Sequence, residues 1–491
     1  MKRVLSHPLV ALGLGLCLRL FLVLKFPATS GDTSLYEELA ANWLKHGSYA
    51  VSLEGAITPV DVRMPGYPAL LRLIYALIGR SGESARLPVM LLQIAADLLC
   101  CVAIAAIASA LVKLSLGPVP AKRASKLALF LAALCPFTAD YNAVILTETL
   151  ATLFSAIGFY VLIRLSASCT ELFRPLDRLK ASWDKTPAYW AVLFGLCVGA
   201  ATLFRPESPL LLVVAWLVLA AIFFKQRKFL EWMKLALLSG LVCFVVLLPW
   251  TFRNAATLRE FQPLAPKDAT LPSERPPTGF MAWERTWLYR TSDCYAVTWK
   301  LNEENINLDD IPARAFDSEA EKTQVAALIE GHNENNILSA EADSEFGAIA
   351  KRRTARHPLR TYLAVPFHRV LTIWFTPRIE LLPFNGSVFP LADEWENDRP
   401  DLVTTIGFFF LNIFYLLAAA WGARKLWIST SGARLALVAI LAYILIRTAF
   451  LTTVEAPEPR YVLVCFPAIL AIAAVAFLKR PRTPNAVRPP V

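Results

Sequence analysis

The chain has 491 residues, of which 56% are hydrophobic and 18% charged, with a formal net charge of +10. A soluble chain carries about 25% charged residues, and the deficit here falls in long apolar runs, so lipid is the solvent for most of the molecule. The excess of Lys and Arg does not indicate nucleic acid, because it sits mainly in short loops at the ends of those runs, where membrane topology explains it.

A transmembrane helix needs about 20 apolar residues. Runs at 8–26, 86–112, 124–139, 145–166, 188–204, 208–224, 233–252, 402–422, 434–453 and 461–478 predict an all-α polytopic bundle of about ten such helices. Lys2 and Arg3 precede the first run. Lys113, Lys122, Arg123 and Lys126 occupy the second connection, and Arg164, Arg174, Arg178, Lys180 and Lys185 the fourth. Lys225, Arg227 and Lys228 fill the sixth, Arg424, Lys425 and Arg434 precede the ninth span, and Lys479, Arg480 and Arg482 follow the last. All lie on one side if both termini are cytoplasmic, which satisfies the positive-inside rule and predicts a multi-pass protein of the inner (plasma) membrane. The opposite, outer connections carry Asp32, Asp140, Glu148, Glu207, Glu455 and Glu458. Arg19 interrupts the first run, which argues against a cleaved signal peptide.

Three parts follow: an N-terminal transmembrane domain, 1–253, with a long first outer loop at 27–85; an extracytoplasmic lobe with an interfacial helix, 254–401; and C-terminal transmembrane helices with a cytoplasmic tail, 402–491. In the first loop, Leu35, Leu39, Ala40, Trp43 and Leu44 share one helical face, with Glu37, Glu38, Asn42 and Lys45 on the other, so this helix is expected on the membrane surface. RMPGYPALLRLIYALIG then reads as a turn and a second membrane-parallel helix. Trp283, Trp287 and Trp299 mark the lobe as folded rather than linker. The segment 361–376 is too short and interrupted to span comfortably and is expected to lie at the interface, with Trp374 and Phe375 at headgroup level.

Most of the nine cysteines lie in apolar runs, where Cys behaves as a small hydrophobe. No Cys-x-x-Cys or His pairing suggests a metal site, and no cofactor is expected.

The residues with chemistry lie near the outer ends of the spans. Asp32, before the amphipathic helix, is either a helix N-cap or a reactive acid. Arg63, in RMPGYP, is either a snorkelling anchor or a ligand held beside a rigid turn; Tyr67 lies in the same motif. Asp140 and Glu148 are the charges of CPFTADYNAVILTETL. Glu148 gains from a helix start, yet an acid at the edge of hydrocarbon is costly unless it faces a wet cavity or a cation. Arg205 and Glu207 form the turn FRPE, Arg253 closes a span in PWTFRN, and Arg460 and Tyr461 open the last span in PEPRY. Arginines gathered near one plane suit a phosphate, which a guanidinium grips as a bidentate fork.

Asp32 with R-x-PGYP, Thr147-Glu148, FRPE at 204–207, PW-x-x-RN at 249–254 and P-x-x-RY-x-x-x-x-x-P at 457–467 form an ordered set covering residues 8 to 478. It resembles the bacterial members of the protein O-mannosyltransferase superfamily, which include the lipid A aminoarabinose transferase and share the GT-C fold. The resemblance implies a glycosyltransferase using a polyprenyl-phosphate sugar donor and a glycan, lipid or protein acceptor. It implies Asp32 as the catalytic acid of the first outer loop, with Thr33 where a second acid often stands and Glu148 or Asp140 as candidate partners. It also implies Arg63, Arg205 and Arg460 as phosphate-binding cations. A polysaccharide polymerase or ligase with a lipid-diphosphate donor is the enzyme alternative. A secondary transporter, which would concentrate polar residues or helix breaks at mid-membrane, is the non-enzyme one.

The charge asymmetry is testable. A periplasm-active phosphatase fused after Ala256 is expected to be active and one fused after Lys228 inactive; the reverse pattern would contradict an outward-facing site.

Overall fold

The computed structural model describes residues 7–171, 186–266, 270–272, 274–454 and 456–479. Lys2, Arg3, Arg174, Arg178, Lys180, Lys185, Glu455, Arg480 and Arg482 lie outside the described residues. Among the described residues the chain is helical throughout, with one two-stranded sheet.

Among the described residues, seven helical stretches are long and apolar enough to cross a membrane: Pro8–Lys25, Gly82–Leu116, Glu148–Thr170, Phe229–Thr257, Arg399–Trp427, Ser431–Leu451 and Pro459–Ala476. The other three expected spans are helices of 16 residues each, Pro118–Ala133, Pro187–Thr202 and Leu210–Lys225. The run expected at 124–139 stops at Ala133 and restarts as two short turns, Pro136–Ala139 and Asp140–Ala143. Pro136 is the physical reason, since it lacks an N–H and its ring crowds the preceding turn.

The chain divides into two compact units. The first joins Met1–Ala269, Pro377–Ile444 and Leu463–Val491; the second joins Thr270–Thr376 and Leu445–Val462. These divisions fall later than 253 and earlier than 401, and the end of the helix Ser431–Leu451 belongs with the second unit.

In the first unit, Arg86–Leu116 packs on Pro118–Ala133 and Glu148–Glu171, and Arg399–Trp427 packs on Phe466–Ala476. A Cβ on Gly422 would stand 2.0 Å from Ile472 O, so that last pair meets backbone to backbone, as small residues allow between membrane helices. Arg19, which interrupts the first apolar run, is fully buried. It meets Asp97 at 2.7 Å and donates to Ala133 O at 2.8 Å and Gly15 O at 3.0 Å. Asn142 donates to the same Asp97 oxygen at 3.0 Å. A charge at this depth is tolerated because it is paired inside the bundle.

The second unit has its own core, in which Trp283, Trp287, Phe280 and Phe346 pack with Val325 and Ile329. Trp299, expected with them, stays partly exposed. Arg353 is fully buried beneath this core, where it donates to Thr286 Oγ1 at 2.7 Å and Arg314 O at 3.0 Å and pairs with Glu321. The segment 361–376 forms one π-helical turn, Arg360–Ala364, and a ten-residue α-helix, Val365–Trp374. Trp374 is not displayed at a surface: it is buried and donates to Thr448 Oγ1 at 3.1 Å.

Candidate active site

The first outer loop is built on the helix Gly31–His46, the hairpin Ala50–Leu53 with Ala56–Pro59, and the helix Gly66–Ile78. The hairpin turns at Glu54 and Gly55, both at positive φ, as a two-residue connection requires. Asn42 is buried and supports the hairpin by donating to Ala50 O at 3.0 Å, rather than sharing the exposed face of its helix. Glu37 holds Arg86 through two bonds at 2.8 and 3.0 Å.

Asp32 is not the cap of its helix. Ser30 is the N-cap residue, and its N–H donates to Thr33 Oγ1 at 3.1 Å. Thr33, which stands where the family that the sequence resembles often has a second acid, is buried and also donates to Ile145 O at 3.3 Å. Ala28 N–H donates to Ala143 O at 2.8 Å, which ties the entry of the loop to the connection before Glu148. Asp32, in the first turn of the helix, accepts instead from Arg63 Nη2 at 2.8 Å.

Gly66 explains how Arg63 comes to its place. Its N–H donates to Leu203 O at 2.8 Å, and a Cβ there would stand 2.5 Å from that oxygen. The PGYP turn therefore lies directly on the turn before FRPE. Arg205, carried by that second turn, forms a short ion pair with Glu148, with Glu207 4.0 Å away. The two pairs differ in depth: the side chains of Asp32 and Arg63 are 20% and 28% exposed, those of Glu148 and Arg205 3% and 15%. Glu148 also lines a small cavity with Asp97, Thr138, Tyr141, Thr149, Thr152 and Leu463. The acid at the hydrocarbon edge thus has a cation partner.

Tyr36, a residue the motifs do not single out, lies within electrostatic reach of both pairs. Burial pushes its phenol up to about 12, Asp32 and Glu148 add to the shift, and Arg63 and Arg205 oppose it. One side chain thus feels all four charges. Tyr67 sets its ring edge-on to Tyr36 at 5.3 Å, is fully buried, and donates its hydroxyl to Gln93 Oε1 at 2.6 Å.

No protein-family model matches the chain, and no curated protein does. Among solved structures it is similar to the oligosaccharyltransferase AglB of Archaeoglobus fulgidus, in complex with an inhibitory peptide and a dolichol-phosphate. That likeness has 12% identity and a TM-score of 0.47, over 95% of this chain and 50% of that one. It is also similar to ArnT of Cupriavidus metallidurans bound to undecaprenyl phosphate, with 14% identity and a TM-score of 0.41, over 95% of this chain and 77% of that one. The chain spans half the length of the oligosaccharyltransferase.

The remaining candidates lie elsewhere. Arg253 braces the hairpin: it donates to Val60 O at 2.7 Å and to Tyr49 O, and stacks on Tyr49 and Trp250 at 5.3 and 5.2 Å. Asp140 is buried, and burial, with Glu380 nearby, pushes its carboxyl well above the usual range, while Arg378 pulls it back. Tyr141 donates its hydroxyl to Glu380 Oε1 at 2.8 Å. In the second unit Arg460 pairs with Glu458 at 2.6 Å, Tyr461 donates to the same carboxylate at 2.6 Å, and Arg447 holds Tyr461 O at 2.8 and 3.0 Å. Among the described residues no group of three or more His, Cys, Asp or Glu is placed to hold a metal.

The contact at Gly66 is testable. Gly66→Ala is expected to force the two turns apart, to destabilise the purified protein by about 1–3 kcal/mol, as overpacking does, and to lower turnover. Unchanged Tm and turnover would show that this contact does not hold the site.

Proposed function

We propose that this chain transfers a sugar from a polyprenyl-phosphate donor to an acceptor at the outer face of the cytoplasmic membrane. The observation that carries the reading is that the turn carrying Arg63, paired with Asp32, rests through Gly66 on the turn carrying Arg205, paired with Glu148. Two acids and two arginines, one pair in the first outer loop and one where Glu148 opens a span, meet the needs of an anionic donor anchored by its own tail.

In this reading Asp32, the more open acid, takes the proton of the acceptor hydroxyl as general base. The acceptor oxygen then bonds to the anomeric carbon while the bond from that carbon to the phosphate oxygen breaks, its electron pair leaving with the phosphate. Arg63 and Arg205 stabilise the charge that develops on the departing phosphate. Glu148 fixes Arg205, and a bidentate guanidinium suits this task better than an ammonium.

Asp32→Asn tests the reading. Asn still accepts from Arg63, and capping rests on Ser30 and Thr33, so the Tm of the purified protein is expected to change little. Turnover with a polyprenyl-phosphate sugar is expected to fall about 10²-fold or more through loss of the base. Retained turnover would remove Asp32 from the chemistry.

A further inference from the structure

The second unit carries a surface that the proposed transfer does not use. Along 359–375 the outward side chains are Leu359, Tyr362, Leu363, Phe367, Leu371 and Phe375, all exposed. Phe367, Leu371 and Phe375 recur every four residues, as one stripe of an α-helix does. The π-helical turn Arg360–Ala364 adds a residue ahead of them and adjusts the register between this stripe and Tyr362 and Leu363.

The opposite face is fastened by polar contacts, so the apolar stripe is held outward. Arg369 is buried and donates to Leu288 O at 2.8 Å, Thr452 O at 3.1 Å and Val454 O at 2.7 Å. Thr372 donates to Tyr289 O at 2.7 Å, and Trp374 to Thr448 Oγ1 at 3.1 Å. Thr448, Thr452 and Val454 are the last turn of, and the exit from, Ser431–Leu451, a helix long and apolar enough to span the bilayer. A helix bonded to the point where a span ends lies at the level where hydrocarbon gives way to headgroups. Immediately before it, Lys351, Arg352 and Arg356 are exposed, on the final turns of Ala340–Arg356.

We propose that this element is a membrane-docking surface for anionic phospholipid: the apolar stripe enters the acyl boundary, and Lys351, Arg352 and Arg356 pair with lipid phosphates. Apolar burial and attraction of basic side chains to anionic lipid act together in such helices. Lipid is favoured over a protein occupant by two features: the bonding of the helix to the end of a span, and a basic cluster at its head.

The test uses the full chain in nanodiscs, with Cys17→Ser and Cys197→Ala to silence the more accessible thiols. Phe367→Cys, Leu371→Cys and, as a control on the lobe, Asn335→Cys carry an environment-sensitive fluorophore. Nitroxide lipid is expected to quench the label at 367 and 371 several-fold more than at 335, and aqueous iodide to do the reverse. Adding phosphatidylglycerol to phosphatidylcholine discs is expected to deepen the lipid quenching, and replacing Lys351, Arg352 and Arg356 by Gln to abolish that increment. Iodide quenching at 367 and 371 equal to that at 335 would overturn the proposal. So would labels shielded from both quenchers, which would mean a protein occupant. Lipid quenching indifferent to phosphatidylglycerol would overturn the anionic specificity.

Discussion

One backbone contact sets the geometry of the candidate site. The N–H of Gly66 meets Leu203 O, and no side chain fits between them. Through it the turn that carries Arg63 rests on the turn that carries Arg205. Neither cation could be placed so well by its own long, flexible side chain. Their carboxylate partners come from helix starts, Asp32 near the head of Gly31–His46 and Glu148 at the head of Glu148–Glu171. There the free N–H groups and the helix dipole favour negative charge. The site is therefore a meeting of two rigid turns and two helix N-termini, built on the ends of elements rather than on mobile loops.

The same physics governs the charges deeper in the bundle. An ionised side chain in hydrocarbon is expensive unless it is paired or faces a polar recess, and Arg19 with Asp97 follows that rule. Asp97 also lines the small cavity that Glu148 borders, so a buried pair within the helices adjoins the acid at their end. The division of depth between the two pairs has a functional meaning in the proposed transfer. The more open Asp32 is accessible to an acceptor, while the deeper Glu148 serves to hold a cation.

Much of this was legible in the sequence, because lipid imposes simple rules. Apolar runs located the helices, and PGYP, FRPE and PEPRY located the turns. Their pairings were not legible, because Arg63 with Asp32 and Arg205 with Glu148 depend on contacts across 31 and 57 residues. Ser30 took the capping role weighed for Asp32, since both lie within reach of the same helix start. Tyr36 reads as one more aromatic on an apolar face, and only the surrounding charges distinguish it. Asp97 was hidden in a long apolar run, and its partner Arg19 in another. The hairpin turn Glu54-Gly55 lacks the Asn-Gly or Asp-Gly signature that marks such connections. Nor were the partners of Arg253 legible: it is engaged by the carbonyls of Tyr49 and Val60 and by aromatic rings.

The central claim is that these two ion pairs serve transfer from a lipid monophosphate. The direct measurement is incubation of the purified protein with a panel of polyprenyl-phosphate sugars and, separately, polyprenyl-diphosphate sugars, following release of the lipid carrier and the fate of the labelled sugar. The account predicts that at least one monophosphate-linked sugar is consumed with release of polyprenyl phosphate, and that the diphosphate series is inert. Turnover confined to the diphosphate series, or none with any monophosphate donor, would contradict it.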